Sequence, residues 1–133
     1  KDKIEINIIR NEIKTIHIHE KAMESIFINF FTNTIKYNTS TMPKCYISLI
    51  DENDEIVINY QDNGIGVAPN DIKNLFRPFV RIKNSLNQEG TGIGLYVVSK
   101  IIYNYKGTIK AESELGKGIK FNIRLPKQLP QTD

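Results

Sequence analysis

Two asparagines and a lysine, Asn29, Asn33 and Lys36, stand at helical spacing in the stretch NFFTNTIK. At roughly 100° per residue they fall within about 60° of one another, with Ser25 and Thr32 alongside, while Met23, Ile26, Phe27, Phe30 and Thr34 take the opposite side. Asparagine does little for helix propensity, so an amide-rich face needs another reason to exist. Amide carbonyl oxygens are hard ligands suited to Mg²⁺, and a lysine one turn on suits a phosphate. On this helix alone the plainer reading is a solvated polar face. A second cluster, DNGIG at 62–66, follows an apolar run. Its alternate glycines, Gly64 and Gly66, let a flat ring approach without Cβ interference, and an ionised Asp62 can accept a hydrogen bond from an exocyclic amine such as that of adenine. A simple Asn-Gly turn accounts for the same residues. The third cluster, GTGIGL, places Gly90, Gly92 and Gly94 directly before a helical pattern. It is not the dinucleotide fingerprint, because Leu95 occupies the last glycine place and no strand precedes it. What remains is a mobile glycine loop entering a helix N-terminus, where unpaired N–H groups and the helix dipole favour an anion such as a nucleotide phosphate. A flexible linker would be equally rich in glycine.

The elements that must hold these clusters are legible from periodicity. KIEINII (3–9) and IKTIHI (13–18) alternate apolar and polar residues, as half-buried strands do. Residues 22–37 carry apolar side chains at helical spacing. CYISLI (45–50) and IVINY (56–60), joined by the polar DENDE, predict a hairpin. Asn70 or Asp71 is placed to cap a short helix running to Phe76, and residues 80–92 show no period. A second long helix is expected over 93–105, then a strand pair in GTIKAES and GIKFNIRL, then a polar, frayed tail over 127–133. Hairpins with interspersed helices predict one α+β domain over 1–126. Its architecture would be a two-layer α/β sandwich with a mixed, mostly antiparallel sheet and helices on one face.

Composition narrows the function classes. The 133 residues are 40% hydrophobic and 25% charged, with a net charge of +3 spread among acidic neighbours, so neither a nucleic-acid nor a membrane surface is indicated. Cys45 stands alone, which fits a reducing compartment. No apolar run approaches the ~20 residues that span a bilayer, and nothing reads as a signal peptide. A cytoplasmic domain is expected. The chain opens on KDKIEI without methionine, which leaves room for a longer, membrane-anchored parent.

The order of the motifs adds more than any one of them. NFFTNTIKY, DNGIG, LFRPFVR, GTGIGL and GKGIKF succeed one another along the chain. They resemble the N box, first glycine box, F box, second glycine box and third glycine box of the ATP-binding catalytic domain of sensor histidine kinases. Those domains belong to the wider GHKL superfamily, with gyrase, mismatch-repair and chaperone ATPases. The resemblance implies a Bergerat-type ATP-binding fold that takes Mg²⁺ and ATP. By position, it makes Asn33 the Mg²⁺ ligand, Asn29 a catalytic-site residue one turn before it, Lys36 the lysine near the phosphates and Tyr37 the residue beside the base. Asp62 would bind the adenine amino group, with Gly64 and Gly66 shaping that pocket. Phe76 and Phe79 would pack beneath a lid spanning 82–89, Arg81 would reach the phosphates, and Gly90, Gly92 and Gly94 would form the lid's hinge, with Leu95 counted beside them among the nucleotide-binding residues.

The resemblance also implies a reaction. In the superfamily's hydrolases the place of Asn29 is typically a glutamate that activates water, and an amide cannot take that proton. A histidine kinase instead positions ATP for attack by an imidazole of another domain. The implied partners are a phosphoacceptor histidine on a dimerisation domain of the same or a sister chain and, indirectly, a response regulator, with this domain itself monomeric. His17 and His19 are expected to be strand and loop residues rather than phosphoacceptors. Two positions depart from the family pattern: Ile119 stands where threonine usually follows Gly118, removing a hydroxyl near the base, and Thr34 stands where alanine is usual. A degenerate nucleotide-binding or docking module and an anti-sigma-type serine kinase are the alternatives.

Overall fold

The computed structural model describes residues 3–80 and 93–127. In chain order these form β1 (Glu5–Asn11), α1 (Glu20–Lys36), β2 (Lys44–Glu52), β3 (Glu55–Asp62), α2 (Pro69–Ile72), α3 (Gly94–Asn104), β4 (Thr108–Ser113) and β5 (Ile119–Pro126). The five strands make one sheet in the order β1-β2-β3-β5-β4. Only β1 and β2 run parallel, because α1 lies between them in the chain and carries it back to the start of the sheet; the other pairs are antiparallel.

Alternation along the strands sends Cys45 and Ile47 of β2, Ile56, Ile58 and Tyr60 of β3, and Phe121, Ile123 and Leu125 of β5 into one core, where they meet Ile26 and Phe30 of α1 and Val98 and Ile102 of α3. The expected two-layer α+β arrangement is therefore present. Its centre is aromatic: Phe30 stacks on Phe121 with ring centroids 4.5 Å apart and lies 4.8 Å from Tyr60. Deleting such a ring costs about 3–5 kcal/mol, so the middle of α1 is pinned to the sheet. The site residues flank this anchor on the same helix.

Two element assignments are corrected, and two single residues gain partners. Residues 13–18 are not a strand. Asn11 accepts a hydrogen bond from the Ile13 N–H through its side chain at 3.0 Å, turning the chain off the sheet edge, and Ile13, Ile16 and Ile18 pack against the core without joining the ladder. Period-two alternation requires only one apolar side; it does not supply a strand partner. The short helix starts before Asn70, with Ala68 at its N-cap and Pro69 in its first turn, where proline's fixed φ suits helix entry and its missing N–H costs nothing. Turns then carry the chain to Phe76, whose ring lies 6.1 Å from Phe121. His19, expected in a loop, is the N-cap of α1: its Nδ1 accepts the Lys21 N–H at 3.1 Å, and its own N–H donates to the Tyr105 hydroxyl at 2.9 Å. Lys127, expected in the frayed tail, donates its N–H to the Asp54 carbonyl at 2.9 Å. No described helix is long and apolar enough to cross a membrane.

Candidate functional site

Asp62 ends β3 and is only 7% exposed. A carboxylate removed from water is costly unless its oxygens are bonded. Here Oδ1 accepts the N–H groups of Gly64 and Ile119, both at 3.0 Å, and Oδ2 accepts the Thr34 hydroxyl at 2.8 Å. Burial pushes the Asp62 carboxyl above its ordinary range, and these three donors oppose that shift. Behind Thr34 lies the Tyr60 hydroxyl at 2.6 Å. A hydroxyl has one proton, so when Thr34 donates to the carboxylate, Tyr60 must donate to Thr34.

The loops around Asp62 fold as one unit. Gly66 and Gly118 both have left-handed backbones, φ 73° and 78°, and a Cβ on Gly118 would drive into the Asp62 carbonyl. Ile65 accepts the Gly116 N–H at 2.8 Å. Ser113 ties the same two loops together, accepting the Val67 N–H at 2.8 Å and donating to the Gly118 carbonyl at 2.7 Å. On the helix side, Tyr37 closes α1 and its carbonyl takes the Ile65 N–H at 2.9 Å; a Cβ on Gly64 would stand 2.7 Å from that carbonyl. The pocket wall is thus backbone, brought close by glycines.

The polar face of α1 is built differently. Asn33 and Lys36 are half-buried, and among the described residues neither side chain makes a hydrogen bond or an ion pair; the Lys36 ammonium lies 5.6 Å from the Tyr37 ring centre. Asn29 is occupied. Its Nδ2 donates to the Ser25 carbonyl at 2.7 Å, and its Oδ1 faces the start of α3, where a Cβ on Gly94 would stand only 2.6 Å away. Glycine at 94 is what lets α3 begin against Asn29. Leu95, next along, packs partly against the core. No cluster of three or more His, Cys, Asp or Glu residues able to hold a metal occurs among the described residues.

Residues 18–129 match the family described as histidine kinase-, DNA gyrase B-, and HSP90-like ATPase. The chain belongs to this family. Among curated relatives, it is 37% identical over 114 residues to sensor protein RprX of Bacteroides fragilis, covering 84% of this chain and 22% of the relative. Over 120 residues it is 32% identical to cyanobacterial phytochrome A of Nostoc, covering 90% of this chain and 16% of the relative. The chain thus spans about a fifth of the length of the curated relatives it matches. The mycobacterial sensor histidine kinase MprB shares the fold, with a TM-score of 0.81 at 17% identity, over 96% of this chain and 86% of that one. Full-length ShkA, solved in complex with AMPPNP, aligns with a TM-score of 0.79 at 25% identity, over 98% of this chain and 27% of that one.

Within this family fold, the structure brings Asp62, Gly64 and Gly66 together with Tyr37, and Asn29 with Gly94. Arg81, Gly90 and Gly92, and the lid expected over 82–89, lie outside the described residues. Phe76 packs against the core and Phe79 stands 74% exposed on a left-handed backbone, while the lid beneath which both are expected to pack lies outside the described residues. Ile119 serves Asp62 through its backbone N–H, which its side-chain identity does not affect. Sequence reasoning noted Thr34 only as a departure from the family pattern, and passed over Ser113. Thr34 carried a signal, since a hydroxyl inside an apolar helical stripe must find a buried partner; Ser113, at the end of a strand, carried none.

Proposed function

We propose that this domain binds Mg-ATP and donates the γ-phosphate to a histidine on a separate dimerisation domain, in two-component signal transduction. The observation that carries the reading is the Asp62 carboxylate: it is buried, bonded by three donors and walled by glycine-bearing loops, so it presents a fixed acceptor to an exocyclic amine. The phosphates would then run along the polar face of α1 toward Lys36 and the start of α3, with Arg81 adding charge. Asn33 fits a metal ligand, because its side-chain amide is uncommitted among the described residues, and Mg²⁺ that keeps several waters needs few protein ligands. Bound there, Mg²⁺ would neutralise charge on the phosphates.

The chemistry follows from what the site lacks. Asn29 spends its amide on Ser25 and cannot accept a proton from water, so hydrolysis is slow and positioning dominates. The acceptor imidazole and the response regulator downstream lie on other domains. The test is phosphotransfer in trans: the wild-type chain, Mg²⁺ and ATP should label a cognate histidine-bearing dimerisation domain with an acid-labile phosphate. No labelling, together with no calorimetric binding of ATP with or without Mg²⁺, would leave a docking module as the reading.

A further inference from the structure

Thr34 is a threonine on the buried stripe of α1, fully shielded from solvent. It nonetheless holds the one side-chain hydrogen bond, among the described residues, to the carboxylate that faces the base. An ionised Asp offers about four acceptor positions. The Gly64 and Ile119 N–H groups fill Oδ1, and Thr34 takes one position on Oδ2, which leaves one acceptor position on Oδ2. We infer that Thr34 is a specificity-determining positioning residue, whose donated proton keeps Asp62 an acceptor and thereby selects 6-amino over 6-oxo purines. The inference rests on the nucleotide reading above and deepens it.

The physical reasoning turns on proton direction. The two backbone N–H groups can only donate, so Oδ1 is an acceptor in every state. Oδ2 is different, because the Asp62–Thr34–Tyr60 chain works in either direction. With Asp62 ionised, protons point from Tyr60 to Thr34 to Asp62, and the remaining position accepts an N–H from an amino group. Without the Thr34 hydroxyl, Oδ2 loses its donor and only the two N–H groups on Oδ1 oppose burial, so protonation is favoured at Oδ2, and a protonated Oδ2 becomes a donor that matches a 6-carbonyl. The other titratable groups facing Asp62 among the described residues are Cys45, its ladder partner on β2, and Tyr60 on β3; burial pushes both upward, so both stay neutral near pH 7 and supply no compensating positive charge. The turn over 114–118 contributes only backbone at this point. Ile119 adds no hydroxyl, so among the described side chains Thr34 is the donor to this carboxylate.

The test compares Mg-ATP with the Mg-triphosphate of inosine, its 6-oxo counterpart, by calorimetry on the whole chain. The variants are Thr34→Val, which keeps shape without the hydroxyl, and Thr34→Ser, which keeps the hydroxyl. Thr34→Val should weaken ATP by about tenfold or more while inosine triphosphate holds or gains, so the ratio collapses; Thr34→Ser should restore it. In parallel, a carbon-13 titration of the Asp62 carboxyl without nucleotide should move to higher pH in Thr34→Val and return in Thr34→Ser. If the valine variant does not fold, Thr34→Ala is read by the same two measurements. An unchanged ratio and an unchanged carboxyl titration in a folded hydroxyl-free variant would overturn this inference alone. Wild-type chain that binds neither nucleotide would overturn the nucleotide reading and this one together.

Discussion

The two ends of the polar site are made in opposite ways. At the Asp62 end every oxygen of the key side chain is bonded, and its neighbours Thr34 and Tyr60 are bonded in turn into the aromatic core. At the α1 end Asn33 and Lys36 hold no hydrogen bond or ion pair among the described residues. The first is rigid before any ligand arrives, as base recognition requires, since a displaced acceptor would lose its directional bond. The second keeps its donors and acceptors unspent for charges that come with the ligand. Function at the first is therefore coupled to folding, and function at the second is separable from it.

The largest effect should come from breaking the rigid end. Gly118→Val forces a β-branched side chain onto a left-handed backbone and into the Asp62 carbonyl, and should cost roughly 3 kcal/mol or more of stability by urea unfolding. A wild-type midpoint in that variant would show the two loops to be less tightly joined than their hydrogen bonds indicate.

Asp62→Asn tests recognition at the same end with its hydrogen-bond network kept. Losing a hydrogen bond to a charged group should weaken ATP by about 1.5–3 kcal/mol. The fold should not suffer, because the amide nitrogen can donate to Thr34 and Thr34 to Tyr60. The sign of the pH effect follows from the raised carboxyl pKa. In the folded chain Asp62 stays protonated to higher pH than in the unfolded chain, so its contribution to stability is fully present below the unfolded value and is lost as pH rises through the folded one. The asparagine variant has no such loss. Melting curves should coincide in acid and then part, with the variant the more stable; the reverse order would mean that the three donors outweigh burial.

Removing the cap of α1 tests a contact far from either end. His19→Ala should cost about 1 kcal/mol through the lost bond to the Lys21 N–H, without changing the affinity for ATP. The smallest stability effect belongs to the open end. Asn33→Ala should change the unfolding free energy by no more than about 0.5 kcal/mol, yet abolish Mg²⁺-dependent phosphotransfer. A large loss of stability there would erase the contrast between the ends, and wild-type transfer would remove Asn33 from the metal site.

What the sequence determined by itself is the set of elements and the order of the motifs. Periodicity over ten or more residues located α1 and α3, alternation bounded by turn residues located the β2–β3 and β4–β5 pairs, and both signals are local. The 13–18 segment shows the limit, because alternation is local but a strand partner is not. Tertiary structure alone decided which donors reach Asp62. Thr34 lies 28 residues before it in the chain and Ile119 57 after it. Nothing in the spacing of either could show the bond, because it exists only once α1 and the turn entering β5 are packed against the end of β3. It also decided that Asn29 bonds to Ser25 and lies against Gly94 at the start of α3 while Asn33 does neither among the described residues, although the two asparagines stand one turn apart on one helix face. Identical residue types at helical spacing are equivalent in the sequence; the approach of α3 to one of them makes them different.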